Sequence, residues 1–507
     1  MIMKKFMLRV LKWGGVFLLL VALGLFARGA YAFRDRTPGY ALDLKIDAAK
    51  SQAATRPLRV GFARVNINPD LSDPKRPVWM AGFNHHRAAT AIHDDLWAIA
   101  CVVDDGYTRL GVVALDAIGF FHDDAVAVRR ACAPEWKLDY TTVCSTHNHS
   151  TPDLMGLWGP NVLRTGVDLR YRQQVTSAAT QALGKAVAAL QPARVAFHEI
   201  TTPTDGLVAD TRKPVVFDPD IRLMHFTSAT NGATLGSIVG WANHPETPWR
   251  KNTEITSDFC GYLREALEHG ITHEGRVLAA GVGGVHLYIN GAVGGLMTTH
   301  PGVTVRDPYL QQEFKEPSHE KSRAVAHQLA AQILPILTSP HSTPTDLAPI
   351  GIRARTLELS IDNKMFLAAA YLGLIDRGHV RWKQLRTEVA LVTLGEASIA
   401  CVPREVYPEI TNGGIERAPG GDFDLDPLEV PALRELMPGR VKFVFGLAND
   451  ELGYIIPKSE WDEKPPHLYN SKGVYGEINS CGPDTARRLH SALAELCQEA
   501  KPADSGP

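Results

Sequence analysis

The rhythm of apolar and polar positions changes at Leu58. Residues 37 to 57 are polar and mixed, which predicts a linker, and from there apolar runs and amphipathic stretches alternate to the end. Residues 58–69 (LRVGFARVNINP) have the pattern of a strand. Residues 94–105, 108–118 and 140–150 are near-continuous apolar runs, as expected of strands covered on both faces. Residues 123–134 carry helical spacing, as does the long stretch 168–190 with Asp168 near its start. Residues 193–200, 220–227 and 234–246 predict further strands, and 257–270 a helix opened by a Ser-Asp cap. The glycine-rich segment 275–302 reads as a tight buried turn region rather than a regular element. A helix is expected from about Pro317 to Leu337, then a linker over 338–349. Beyond it the pattern gives an alternating strand (352–361), a helix near 363–376, two strands within 387–403 and a final helix over 484–500.

Strands and helices interleave throughout, so the fold class is α/β, with mixed β-sheets layered with α-helices. Chemistry-bearing segments lie on both sides of 338–349, so residues 58–500 are expected to form one catalytic unit. No internal repeat is visible.

Composition changes this picture only at the N-terminus. Over 507 residues, 45% hydrophobic and 21% charged positions with a formal net charge of −2 describe an ordinary globular chain. No basic field is present, so nucleic acid is not an expected partner. Residues 1–36 place Lys4, Lys5, Arg9 and Lys12 before an apolar run from Trp13 to Ala27. That run spans about 22 Å as a helix, against a hydrocarbon core of roughly 30 Å. The basic flank and Ala30-Tyr31-Ala32 fit a cleavable export signal. Arg28 and an interfacial Trp13 fit an uncleaved membrane anchor. Both readings place the body outside the cytoplasm, periplasmic or extracellular. The seven cysteines form no C-x-x-C pair, which leaves a disulfide or two open and gives no thiolate metal site. Cys101, Cys144 and Cys401 fall in strand-like runs and are expected core residues.

The candidate chemistry sits at strand ends. The run 140–150 ends in His147-Asn148-His149; in an extended strand end, positions i and i+2 face the same way, so both imidazoles can address one point. Alone, the pair also fits a solvated loop. Residues 234–246 repeat the arrangement, ending at Asn243-His244-Pro245, and ligand crevices of open α/β sheets lie at such carboxyl ends. Two imidazoles need oxygen ligands to complete a catalytic zinc shell. Glu405, following the strand that ends at Pro403, is a candidate, although a glutamate there also fits an exposed helix start. Residues 441–463 form a fourth strand followed by a turn reaching Tyr454, which alone would read as a core tyrosine. His85-His86 and His93, Asp94 and Asp95 fit either the cleft or a solvated turn. The segment 281–295 lacks the spacing of a nucleotide loop, and no G-x-S-x-G elbow or H-E-x-x-H helix occurs.

Taken in order, these segments resemble the neutral/alkaline ceramidase family, zinc-dependent hydrolases that cleave the amide of N-acyl sphingoid lipids. VGFARVNINPD with VWMAGF, STHNHS, WANHPET, VPREV and GLANDELGYIIPKSEW each resemble a family motif, running from about residue 58 to 484. The resemblance implies the ceramidase catalytic-domain fold and Zn2+ held by His147, His244, Glu405 and Tyr454. It also implies His149 beside the metal, contacting substrate or the attacking water, and Tyr475 as a further active-site tyrosine. The implied activity is hydrolysis of an N-acyl lipid or related N-acyl amide by metal-activated water. The alternatives are a hydrolase of the same fold acting on an ester or other small amide, or a membrane-tethered binding protein with degenerate catalysis. Two departures stand out. Gly294 and Gly295 lie where the family carries a serine once proposed as catalytic, so a serine nucleophile is not expected. Too few residues follow Tyr475 for the family's C-terminal immunoglobulin-like domain. Oligomeric state and the substrate itself are left open.

Overall fold

In the computed structural model, which describes residues 2–48, 56–295, 297–339, 343–451, 453–471 and 473–501, the long apolar runs are strands where their pattern places them. Helix α1 (Ile2–Ala32) is followed by strands β1 (Asp43–Ile46), β2 (Arg59–Asn66), β3 (Trp97–Asp104) and β4 (Arg109–Leu115). Helix α2 (His122–Ala131) leads into β5 (Tyr140–Ser145). Helix α3 (Leu169–Ala188) leads into β6 (Gln191–Thr201), β7 (Asp220–Ser228) and β8 (Thr234–Trp241). Helix α4 (Asp258–His269) precedes β9 (Val285–Asn290), and α5 (His319–Leu337) precedes β10 (Ile350–Ser360). Then come α6 (Lys364–Leu372), β11 (Gln384–Leu394), β12 (Ala397–Cys401) and the two-residue β13 (Glu405–Val406). β14 (Val441–Phe445), β15 (Tyr454–Ile455) and α7 (Thr485–Ala500) complete the series, with shorter elements between.

Two sheets carry the fold. The larger has eight strands in the order β9-β8-β7-β6-β2-β3-β4-β5, and the smaller has five in the order β1-β10-β11-β12-β14. They pack face to face: Val60, Ile99, Val112 and Phe226 of the first share one core with Ile352, Val392, Ile399 and Phe443 of the second. The outer face of the large sheet is covered by α3 through Val175, Ala179 and Leu183. Helices α4 and α5 cover its β7–β9 end. The small sheet's outer face is covered by α7 through Leu489 and Leu493. The result is a four-layer α/β/β/α arrangement. Strands β3 to β5 are buried on both faces, which is why they read as continuous rather than alternating apolar runs.

Four local features differ from the sequence pattern. Residues 285–290, inside the glycine-rich segment, form β9, which pairs in parallel with β8. Its buried apolar positions are Leu287, Tyr288 and Ile289, with His286 and Asn290 buried beside them, and the surrounding glycines hide a strand of ordinary composition. Ser257 does not cap α4; its hydroxyl donates to Asp94, and Asp258 accepts instead from the Phe259 and Thr247 amides. Within 338–349, Thr345 exchanges backbone hydrogen bonds with Val195, which ties this stretch to the large sheet. Residues 340–342 of the expected linker lie outside the described residues. Within 37–57, Asp43–Ile46 pair with β10 as an edge strand. No disulfide joins any of the seven cysteines, and Cys101, Cys144 and Cys401 are core residues.

Buried charge fixes the sheets to one another. Glu388, in the middle of β11, is fully buried and accepts from both Arg129 Nη atoms at 2.6 and 2.7 Å and from the Tyr140 hydroxyl at 2.7 Å. Burial alone would raise its pKa, but the Arg129 guanidinium outweighs it and holds the carboxyl well below the usual range. Arg377 clasps Asp450 with two 2.6 Å bonds, anchoring the loop that runs from β14 to β15.

Candidate active site

Parallel pairs bring the candidate residues to one end of the two sheets. β4 and β5 run in parallel, as do β8 and β9, and β12 and β14. His147, His244 and Glu405 follow the carboxyl ends of β5, β8 and β12. The chain after β14 docks on β5 through Asn449, whose amide donates to the Val143 carbonyl at 2.7 Å while its side-chain oxygen accepts from the Val143 amide. This closes the seam between the sheets directly beneath His147.

The two histidines of His147-Asn148-His149 do meet at one place, though not by strand alternation. His147 has φ +67°, a left-handed conformation costly for a residue with a Cβ. Arg404, Leu447 and Asn449, on the other strand-end turns, also have positive φ, at 75°, 50° and 62°. Such strain persists only where the surroundings over-determine the backbone, and here it turns the side chains inward. Ring centroids lie 5.1 Å apart for His147 and His149 and 4.9 Å for His147 and His244.

Glu405 sits between two imidazoles. Its Oε2 lies 3.2 Å from His147 Nε2 and 3.0 Å from His244 Nε2, with all three side chains buried. His147 Nδ1 donates to the Ile118 carbonyl at 2.7 Å, and His244 Nδ1 to the Met297 carbonyl at 2.8 Å. Those backbone acceptors fix the tautomer and leave both Nε2 atoms turned to the centre. Burial disfavours a charged His147, but Glu405 outweighs it and raises the imidazole above its ordinary value. Burial likewise opposes a charged Glu405, and His147 and His244 hold that carboxyl low.

His149 is the odd member. Both its ring nitrogens are buried without a hydrogen-bond partner, and Nδ1 lies 3.2 Å from Glu246 Oε2. Burial, then the neighbouring His147 and His244, press its pKa well below the ordinary value, so it is neutral at neutral pH. Gly82, at φ +98°, backs its ring: a Cβ there would stand 2.4 Å from His149 Cγ. Phe83 covers it edge-on at 5.1 Å.

The ligand atoms of His147, His149 and His244 all lie within 4.8 Å of one another. A tetrahedral ion with bonds near 2.1 Å separates its ligand atoms by about 3.4 Å. The 3.0 and 3.2 Å separations about Glu405 are close to that edge, so this donor set fits a metal ion. The floor recess lined by His147, His149, Glu405, Glu451 and Tyr454 has a volume of about 70 Å³, room for an ion and a water. Tyr454 pairs in parallel register with Glu405 across β13 and β15, which places the two side chains on one face. Burial and the Glu405 carboxylate push its phenol up. Tyr475 lies 5.9 Å away, ring to ring, and is 54% exposed at the cavity wall.

Above the recess opens a cavity of about 960 Å³, walled by Phe83, Leu157, Trp158, Trp249 and Phe366 with His244, Tyr454 and Tyr475 at its base. His147, His149, His244, Glu405, Tyr454 and Tyr475 therefore border one site. Glu246 and Glu451 were not singled out in the sequence. Glu246, two residues after His244, lines the cavity, and Glu451, three before Tyr454, lines the recess. Burial raises both carboxyls above the ordinary range, Glu451 well above it. The signal for each was an acidic residue inside a motif already in hand. Of the other candidates, His85 lines the cavity, while His86 packs on Trp79. Asp94 holds the start of α4, and Asp95 accepts from Asn68. His93 groups with Glu254 and His319 outside the cavity, but the two imidazoles are stacked at 3.7 Å and 6°, so their lone pairs run parallel rather than converging. Gly294 packs against Tyr407 and the Glu405 backbone, where a Cβ would come within 2.3 Å of the Tyr407 ring.

No protein-family model matches the sequence, and a search of curated proteins finds no match. Among solved structures, the neutral ceramidase from Pseudomonas aeruginosa superposes with a TM-score of 0.66 at 16% identity, covering 90% of this chain and 76% of that one. A ceramidase complexed with C2 superposes with a TM-score of 0.65, also at 16% identity, covering 89% of this chain and 77% of its own. This chain has the fold of neutral ceramidase.

Proposed function

We propose that the protein is a zinc-dependent amidohydrolase that cleaves the amide of an N-acyl lipid or related N-acyl amide, within one catalytic unit spanning residues 58–500. The observation that carries this reading is the Glu405 carboxylate seated between the tautomer-fixed Nε2 atoms of His147 and His244, at the floor of an open, largely apolar cavity. The likeness of fold to two ceramidases supports an acyl amide as the substrate class. His147, His244, Glu405 and Tyr454 would hold the ion. Zinc in such a site polarises an acyl carbonyl and makes water nucleophilic near neutral pH.

The chain's own groups divide the remaining work. His149 is neutral and its Nε2 has no hydrogen-bond partner, so that nitrogen can take a proton from the attacking water. Glu246, beside Nδ1, stabilises the imidazolium that results and keeps the ring in place. The same proton is then available to the leaving amine. The phenols of Tyr454 and Tyr475 line the wall where a carbonyl oxygen gains charge, and donation there stabilises the transition state. The aromatic walls hold the acyl chain and exclude water. No serine takes part. The apolar helix α1 suits an export signal or anchor, with the catalytic body outside the cytoplasm.

A screen of zinc-loaded protein against N-acyl sphingoids, N-acyl amino acids and acyl esters tests the reading. Turnover of an amide that is lost in His147→Ala and His244→Ala together with zinc supports it. Native protein that binds no zinc and turns over none of these substrates overturns it.

A further inference from the structure

α1 runs from Ile2 to Ala32, and its most apolar 18-residue stretch has a mean hydropathy of 2.1 with none of it buried. At 1.5 Å per residue the whole helix is about 45 Å long and its uncharged run from Trp13 to Ala27 about 22 Å, so it crosses a hydrocarbon core of roughly 30 Å with Val10, Leu11 and the stem of Lys12 included. Its carboxyl end does not hang free. The Tyr371 hydroxyl donates to the Leu25 carbonyl at 3.2 Å, and Arg28 reaches the Ala370 carbonyl at 3.4 Å. Just past the helix, Phe33 packs edge-on against Trp382 at 4.5 Å. These contacts fix the end of α1 against α6 and the turn after it.

α6 is also a wall of the cavity. Met365, Phe366, Ala369 and Leu372 line it, and Val162 lines it from the facing loop. One side of the rim is apolar and bare: Val162 is 64% exposed, Met365 56% and Leu372 58%, with Leu163 at 71% and Trp382 at 60% nearby in the chain, while Arg164 and Arg250 line the same cavity and can meet lipid headgroups. Apolar side chains gathered this way mark a contact surface rather than a solvated one. The occupant is set by α1, whose apolar length needs a bilayer and whose end is held beside this rim.

We propose that the mouth of the cavity is seated on the membrane leaflet from which α1 emerges. Leu163, Leu372 and Trp382 dip into the acyl boundary, and a lipid passes sideways from the leaflet into the cavity without crossing water. The proposal rests on the lipid-amide reading for its substrate, but the seating itself does not depend on catalysis.

Full-length protein reconstituted in phosphatidylcholine vesicles tests it. A fluorophore is attached at Leu163→Cys, at Trp382→Cys, or at Tyr107→Cys, which lies in the turn before β4 at the opposite end of the large sheet. The background carries Cys132→Ser, because the other six cysteines are buried. With nitroxide-labelled phosphatidylcholine in the vesicles, the probes at 163 and 382 lose most of their emission and the probe at 107 keeps it. Equal quenching at all three positions overturns the seating. In a second arm, Leu163→Asp raises the KM for an N-acyl lipid embedded in vesicles about tenfold. Its turnover of a water-soluble short-chain N-acyl amide is unchanged. A Leu163→Asp enzyme with wild-type KM on vesicles overturns the proposal. Wild-type protein that hydrolyses neither substrate sinks the amide reading instead, and the quenching pattern then decides the seating alone.

Discussion

Replacing Glu405 by Gln keeps the size of the side chain and removes the carboxylate charge seated between His147 and His244, whose Nε2 atoms lie 3.2 and 3.0 Å from Oε2. If this carboxylate is a metal ligand, its loss weakens the ion by at least the 100-fold that altering even a ligand's supporting partner can cost. The consequence is visible in stability. An ion at 100 times its dissociation constant stabilises the wild type by about 2.7 kcal/mol, and at an affinity 100-fold weaker by only about 0.4 kcal/mol. For a chain of this size about 1 kcal/mol moves the melting temperature by about 1 °C. Zinc should therefore raise the midpoint of the wild type by about 2–3 °C and that of Glu405→Gln by less than about 1 °C. The comparison uses the zinc-induced increment in each protein, measured by calorimetry with and without zinc. Absolute midpoints also change because His147 loses its carboxylate. An equal increment in both proteins would refute Glu405 as a ligand.

Other consequences follow from the same geometry. Gly82→Ala pushes a Cβ into the His149 ring and should lower kcat by about 100-fold with zinc content unchanged, since a displaced catalytic group costs about that much; steady-state kinetics with metal analysis checks both halves. Glu246→Gln leaves His149 without the carboxylate beside Nδ1 and should lower kcat more than it raises KM, whereas an unchanged kcat would remove Glu246 from proton handling. Glu388→Gln leaves Arg129 buried without its charge partner and should cost about 3–5 kcal/mol of unfolding free energy at pH 7, measured by denaturant titration. Because the folded-state pKa of Glu388 is depressed, its contribution is present above the unfolded carboxyl value and fades as pH falls through the folded one. The gap between wild type and Glu388→Gln should accordingly narrow below about pH 4.

Much of this was legible in the sequence because β3, β4 and β5 are buried on both faces and must be apolar throughout. The ends of those strands were legible for the same reason: an apolar run that stops at histidine marks a sheet's carboxyl end. What the sequence did not reveal depends on distant partners. β9 was obscured because glycines flank it on both sides, and its strand state comes from pairing with β8. The cap expected from Ser257 was lost because Asp94, far away in sequence, takes its hydroxyl. His147 converges on its neighbours through a left-handed backbone that no periodicity announces. Glu246 and Glu451 look like ordinary surface acids until the fold buries them, and only then do they border the site.

In the proposed reaction, amide hydrolysis depends on a metal held at the seam between the two sheets by His147, His244, Glu405 and Tyr454. The most direct measurement strips the full-length protein with a chelator and follows amine release from an N-acyl sphingoid as zinc is returned. Stripped protein should show no turnover, and activity should return linearly and saturate at one equivalent of zinc, a response absent from His244→Ala. Full turnover by the stripped protein, or a zinc response that His244→Ala retains, would contradict it.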